Sequence, residues 1–157
     1  MITRDGVTIR PAGHSDLAFI RHLSKRVFTQ YGPYDVILTG WFQWDKTVTR
    51  LAVSNGGPVG FAMVRLPKGK PYHERISELL AIAVEPEKQR CGIGDLLMTE
   101  VLRLSEGMEI DTLTLLTAIE NKPAQGLFRK HGFAPWHVEK GCYQGGQEAL
   151  MMYKVLS

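Results

Sequence analysis

The segment from Ile76 to Gly107 constrains this chain more than any other. Ile76-Ser77-Glu78-Leu79-Leu80-Ala81-Ile82-Ala83-Val84 is the most β-like run in the middle of the chain, and Glu85-Pro86-Glu87 stops it. Gln89-Arg90-Cys91-Gly92-Ile93-Gly94 comes next, and Ile93, Leu96, Leu97, Val101 and Leu104 then fall on one side of a helix. Gly107 reads as that helix's C-terminal stop. A strand that feeds a crossover helix implies a parallel partner beside it.

The flanking sequence supplies the other layers. Val7-Thr8-Ile9-Arg10 alternates before Pro11 and predicts a first strand; Ser15-Asp16 then precedes a helical face of Leu17, Ile20, Leu23 and Val27. A second amphipathic stretch carries Val36, Ile37, Leu38, Trp41, Phe42 and Trp44. Strands are expected at about Val48 to Ser54 and Val59 to Leu66, joined by the turn Asn55-Gly56-Gly57-Pro58. A polar loop follows from Pro67 to His73. Beyond the crossover helix come a strand at Leu113 to Thr117, a short helix from about Pro123 to His131, and strands near Ala134 to Glu139 and Ala149 to Val155. The predicted order is β-α-α-β-β-β-α-β-α-β-β. The fold class is therefore α/β (α+β), a mixed and mostly antiparallel sheet of about seven strands flanked by about four helices.

The 157 residues suit a single domain over 1–157, with no repeat, low-complexity tract or linker. A net charge of +3 with dispersed Lys and Arg argues against a nucleic-acid surface. Cys91 and Cys142 are too far apart for metal-type spacing, and His14, His22, His73, His131 and His137 show no ligand pattern, so no metal is expected. The N-terminus lacks an apolar signal-peptide core, and the aliphatic run Leu79 to Val84 is too short to span a bilayer. A cytoplasmic protein with free thiols, away from any membrane, is the expectation.

Chemistry concentrates at the glycine loop. A helix N-terminus offers unpaired N–H groups and a partial positive charge, and glycines let a ligand approach the backbone. Such a nest suits a pyrophosphate, with Arg90 or Lys88 adding charge. A nucleotide P-loop would need Gly-Lys-Ser/Thr, but Asp95-Leu96 follows Gly94; a dinucleotide fingerprint would need a third glycine where Leu97 stands. On spacing alone, a tight strand-to-helix turn explains the two glycines equally well.

Gln89-x-x-Gly92-x-Gly94, opening a helix after Ile82-Ala83-Val84-x-Pro86, resembles the acetyl-CoA motif of the GNAT superfamily of N-acyltransferases. Asn121-x-x-Ala124-x-x-Leu127-Phe128-x-Lys130-x-Gly132-Phe133 is similar to that family's later helix, and the element order matches over about residues 7 to 156. The resemblance implies acetyl transfer from acetyl-CoA to a primary amine by direct attack in a ternary complex. Pantetheine would lie between the fourth and fifth predicted strands, against the main chain of Ile82, Ala83 and Val84. The loop Gln89, Arg90, Cys91, Gly92, Ile93, Gly94 and Asp95 would hold the pyrophosphate, with Asn121 and Phe128 near the cofactor.

Glu78, eleven residues before Gln89, is the candidate base by resemblance to histone-type members, its pKa raised if half-buried. Many members carry at the position of Phe128 a tyrosine that protonates the departing thiolate; Tyr143 is the candidate substitute. Asp95 beside a phosphate nest is unfavourable unless it points away or serves the helix dipole. Tyr31, Tyr34, Trp41, Phe42 and Trp44 lie where the family chooses its acceptor, and their spacing suggests helix residues covering the sheet more than a pocket wall. The tail from Tyr143 to Met152 resembles ribosomal-protein N-terminal acetyltransferases, but Leu116 replaces the glutamate those enzymes use. The acceptor is thus a small molecule or a protein N-terminus. A non-catalytic acyl-CoA-binding sensor is the alternative, and the oligomeric state is open.

Overall fold

The computed structural model describes residues 3–4, 6–67 and 75–156; of the loop expected from Pro67 to His73, everything past Pro67 lies outside them. The elements are β1 (Thr3–Arg4), β2 (Val7–Pro11), α1 (Leu17–Phe28), α2 (Tyr34–Gln43), β3 (Thr47–Ser54), β4 (Gly57–Arg65) and β5 (Ile76–Val84). They continue with α3 (Ile93–Gly107), β6 (Thr112–Ala118), α4 (Lys122–Lys130), β7 (Ala134–Glu139) and β8 (Ala149–Val155). One sheet runs β1-β2-β3-β4-β5-β6-β8-β7. Its pairs are antiparallel except β5 with β6, which the α3 crossover makes parallel. The two-residue β1 is the one strand beyond the predicted set.

The sheet is covered on both faces, which explains the unbroken apolar run in β4. Phe61 and Met63 point to α1 and α2, joining Ile20, Leu23, Leu38 and Leu51. Ala62 and Val64 point the other way, to α3 and α4, joining Leu97, Met98, Val101 and Leu113. Period-two alternation thus feeds two cores from one strand. Each fully buried Leu or Ile, such as Leu23 or Leu97, contributes about 1.5–3 kcal/mol.

One turn differs from expectation. Asn55 and Gly56 have φ of 53° and 79° and alone make the hairpin, so Gly57 and Pro58 belong to β4. Pro58 is tolerated because the register shifts between Ala52 and Val53 beside it. α3 ends at Gly107 as expected, and Glu109 just beyond it takes the left-handed conformation, with φ of 58°. Its N–H bonds to the Glu106 carbonyl at 3.0 Å and that of Ile110 to the Ser105 carbonyl at 3.0 Å, a Schellman closure. Burial of Ile110 (1% exposed) offsets the strain of a side chain there. At the far end of the sheet, β7 carries Pro135 and a register shift at Trp136, and its residues from Pro135 on are exposed.

Glu100 fastens α3 to the sheet. Its carboxylate, 5% exposed as a residue, accepts from Arg50 Nε at 3.1 Å and from Arg103 Nε and Nη2 at 2.6 and 3.0 Å. Burial pushes this carboxyl up, but the hydrogen bonds from Arg103 and Arg50 outweigh it and hold the pKa below the usual range. With the folded pKa depressed, the contribution is present above the unfolded carboxylate pKa and lost as pH falls through the folded one. Glu100→Ala should lower the unfolding free energy by about 3 kcal/mol in urea at neutral pH. The gap to wild type should narrow below about pH 4.

Candidate active site

Strands β5 and β6 run together only briefly. Ile76, Ser77, Glu78 and Leu79 pair with Thr112, Leu113, Thr114 and Leu115, and nothing pairs beyond. From there β5 stays with β4 and β6 with β8. The parting coincides with a bulge: Val64 faces Leu79 and Met63 faces Ala81, leaving Leu80 without an opposite residue. An extra residue bends a strand and strengthens its twist, which carries β5 away from β6. The β5 edge past Leu79 therefore shows main-chain groups with no strand partner on the β6 side.

A cleft fills this opening, walled by Glu78 and Leu79–Ile82 of β5, by Leu115–Ala118 of β6, and by Asn121, Ala124 and Phe128 around α4. Tyr31, Tyr34 and Trp41 close it from the α1–α2 side, and Cys142 and Tyr143 from the β7–β8 loop. The aromatic group read from sequence mainly as sheet cover therefore divides. Those three line the cleft, Phe42 packs on the α1-side core, and Trp44 is 43% exposed.

The β5 strand leads through Pro86–Lys88 into the glycine loop. Arg90 and Gly92 have φ of 65° and 84°, so the chain turns twice through left-handed conformations before α3 begins. Such alternation gathers successive N–H groups into a concave nest above the free amides of the helix start. A Cβ on Gly92 would meet nothing within 4 Å, so the space above it is open. Gly94 serves packing instead, since a Cβ there would stand 3.2 Å from Leu127 of α4. Gln89 folds its amide back onto the Val84 carbonyl at 3.1 Å, Cys91 is exposed, and the Ile93 side chain is buried in the core. Arg26 of α1 pairs with both Glu85 and Glu87, tying that helix to this connection.

Asp95 does not face the nest. Its carboxylate takes His131 Nε2 at 2.8 Å and Lys130 Nζ at 3.1 Å. Burial pushes its pKa up, but hydrogen bonds from His131 and Lys130 prevail and hold it below the ordinary range. The charge that looked unfavourable in sequence is thus absorbed by the end of α4. Asn121 caps that helix by accepting from the Ala124 N–H at 3.3 Å. Phe128, 4% exposed, packs edge-on against Phe133 with centroids 6.2 Å apart.

Glu78 is half-buried in the cleft wall. Burial pushes its pKa above the usual value, and Arg65, whose Nη2 is 3.7 Å away, pulls it back in part. Tyr143 reaches this space, its ring 5.1 Å from that of Tyr31 and 6.2 Å from that of Tyr34. Burial drives the Tyr143 phenol well above its ordinary value. Sequence reasoning placed no partner for Tyr143, because Tyr31 lies more than a hundred residues away and no local pattern joins them. The wall residues Phe28, Thr117 and Cys142 were missed for the same reason.

The Acetyltransferase (GNAT) family model matches residues 17–133. The chain belongs to this family. It is 27% identical over 146 residues to a mycothiol acetyltransferase of Pseudarthrobacter chlorophenolicus, covering 86% of this chain and 45% of that protein. The chain thus spans under half the length of the mycothiol acetyltransferases it resembles. Its fold matches the ribosomal-protein-S18-alanine N-acetyltransferase of Escherichia coli with a TM-score of 0.81 at 23% identity, over 96% of this chain and 94% of that one. It also matches a Salmonella typhimurium protein solved with acetyl-CoA, with a TM-score of 0.81 at 16% identity, over 98% of this chain and 95% of that one. Among the described residues no helix is long and apolar enough to cross a membrane, and no three His, Cys, Asp or Glu side chains cluster to hold a metal.

The β7–β8 loop is latched over the cleft. Gly145 N–H donates to the Tyr31 carbonyl at 3.3 Å and Gln147 Nε2 to the Gln30 carbonyl at 2.9 Å. A Cβ on Gly145 would collide with the Gln30 carbonyl and the Gln147 amide. Gly145→Ala should therefore release the loop while the sheet stays folded. Amide hydrogen exchange at Tyr143, Gly146 and Gln147 should accelerate, with β4 and β6 unchanged.

Proposed function

We propose that this chain is an acetyl-CoA-dependent N-acetyltransferase that acts on a primary amine of a small molecule or a protein N-terminus. The observation that carries the reading is the parting of β5 from β6, which opens beside Glu78 and runs toward the Gly92 nest. It fits a long ligand with an anionic end, a polar arm and a reactive tip. The pyrophosphate would sit on main-chain N–H groups from Gln89 to Asp95, Ile93 and Asp95 contributing backbone alone, since their side chains are engaged elsewhere. The main chain of Ile82, Ala83 and Val84 would pair with the pantetheine arm. Asn121 and Phe128 would border the arm near the thioester.

The acceptor arrives mostly as an ammonium ion, and a neutral amine is needed to attack. Glu78, directly or through one water, takes that proton; the lone pair then adds to the thioester carbon, the C–S bond breaks, and the nitrogen releases its second proton to water as the amide forms. Holding both partners in one slot supplies much of the rate, and main-chain donors of β5 stabilise the developing oxyanion. Phe128 offers no proton, so Tyr143, which lines the cleft, is the donor proposed for the leaving thiolate. A non-catalytic acyl-CoA sensor is the second reading, favoured by Phe128; acetyl-CoA binding without CoA release from any amine would select it.

Gly92→Val places a branched side chain in the open space over the nest at a positive φ. It should reduce acetyl-CoA binding at least about 100-fold by calorimetry, with the fold verified by circular dichroism. Unchanged affinity would move the donor site elsewhere.

Glu78→Gln should lower kcat by about 10²–10⁴-fold with acetyl-CoA affinity unchanged. The acidic limb of the pH–kcat/KM profile, set by the raised Glu78 pKa, should disappear with it. A raised folded pKa also means that ionised Glu78 costs stability as pH rises through it. The variant should therefore melt no lower than wild type at neutral pH.

A further inference from the structure

The acceptor end of the cleft has a distinctive lining. Four rings form a continuous wall: Phe28 stands 5.9 Å from Tyr34, Tyr34 6.2 Å from Tyr143, and Tyr143 5.1 Å from Tyr31, with adjacent planes tilted by 57°, 58° and 44°. Each ring contributes apolar area, and a tilted arrangement offers π faces and edges from several directions. Among the described residues, Glu78 is the one charged side chain lining the cleft, and no Lys or Arg lines it. Arg65 reaches the Glu78 carboxylate at 3.7 Å but is not part of the lining.

Carboxylate and π faces both favour a cation. The same surroundings disfavour an anion, because an acceptor carboxylate or phosphate would enter a partly desolvated space beside Glu78, whose partner Arg65 stands outside the lining. The rim adds a limit on size. The β7–β8 loop is bonded to Gln30 and Tyr31 and meets Gln30 too closely for any residue but glycine at 145, so this side of the cleft is bridged. An extended polypeptide laid across it would have to break the bridge.

We infer that the acceptor is a small primary amine on an apolar or aromatic body, bearing no carboxylate or phosphate of its own. The ammonium faces Glu78 and the body lies among Phe28, Tyr31, Tyr34 and Tyr143. This rests on the N-acetyltransferase reading and narrows it. Free α-amino acids and anionic amines are excluded by charge, and peptide N-termini by the bridged rim.

CoA release from acetyl-CoA, measured with 2-phenylethylamine, phenylalaninamide, phenylalanine and an alanine-terminated pentapeptide, decides it. Expected is a kcat/KM for the first two at least about 100-fold above that for phenylalanine, with the pentapeptide below both small amines. Tyr34→Leu should raise KM for 2-phenylethylamine about tenfold with KM for acetyl-CoA unchanged. Phenylalanine turned over as well as its amide, or a pentapeptide preferred to both small amines, overturns the inference and leaves the acetyltransferase reading standing. An unaltered amine KM in Tyr34→Leu removes the ring wall from recognition and also overturns it. No CoA release with any amine, while calorimetry shows bound acetyl-CoA, overturns both readings together.

Discussion

Everything at this site depends on the loss of pairing between two parallel strands after four residues. A sheet interior normally leaves no main-chain group idle, because each unpaired donor or acceptor costs stability when buried. Here the bulge at Leu80 turns β5 out of register with β4 and away from β6. The structure holds the opening with elements outside it: β4 remains paired along β5, and β8 remains paired along the whole of β6. The gap is thus an unsatisfied edge inside an otherwise continuous sheet.

The helices keep that gap in shape. α3 is fastened to β3 through Glu100 and Arg50, so the nest at its N-terminus stands on a fixed support. α4 is joined to the first turn of α3 by Leu127 against Gly94 and by Lys130 and His131 on Asp95. On the opposite face, Arg26 joins α1 to the turn after β5. Each side of the cleft is braced to the segment that leads into the nest, by charge at the surface and by apolar contact beneath it.

Local signals were legible and distant ones were not. The apolar run from Ile76 to Val84, the stop at Pro86 and the face from Ile93 to Leu104 are local, and they placed the strand, loop and helix correctly. Pro123 likewise marked the start of α4, which begins at Lys122. The bulge at Leu80 left no trace, because it depends on register with β4 and the run is apolar throughout. Gly92 and Gly94 looked alike in sequence; only the fold shows that one needs its backbone angle and the other the neighbouring helix. Gly107 marked the end of α3 correctly, but the left-handed residue that closes the helix lies just beyond it at Glu109, ahead of the buried Ile110. The Tyr31–Tyr143 contact joins segments with no pattern between them.

The outer strand β7 has a consequence for how the molecule keeps to itself. A free strand edge is a template on which another chain can add, and aggregation or fibre growth begins there. Along β7, Pro135 lacks an N–H to offer and the irregularity at Trp136 breaks the even spacing that a docking strand requires. The exposed indole of Trp136, with Tyr153 set edge-on 6.2 Å away, adds bulk on one side. The strand that ends the ladder is therefore a poor seed, and the sheet is protected against polymerisation at this margin by its own irregularity.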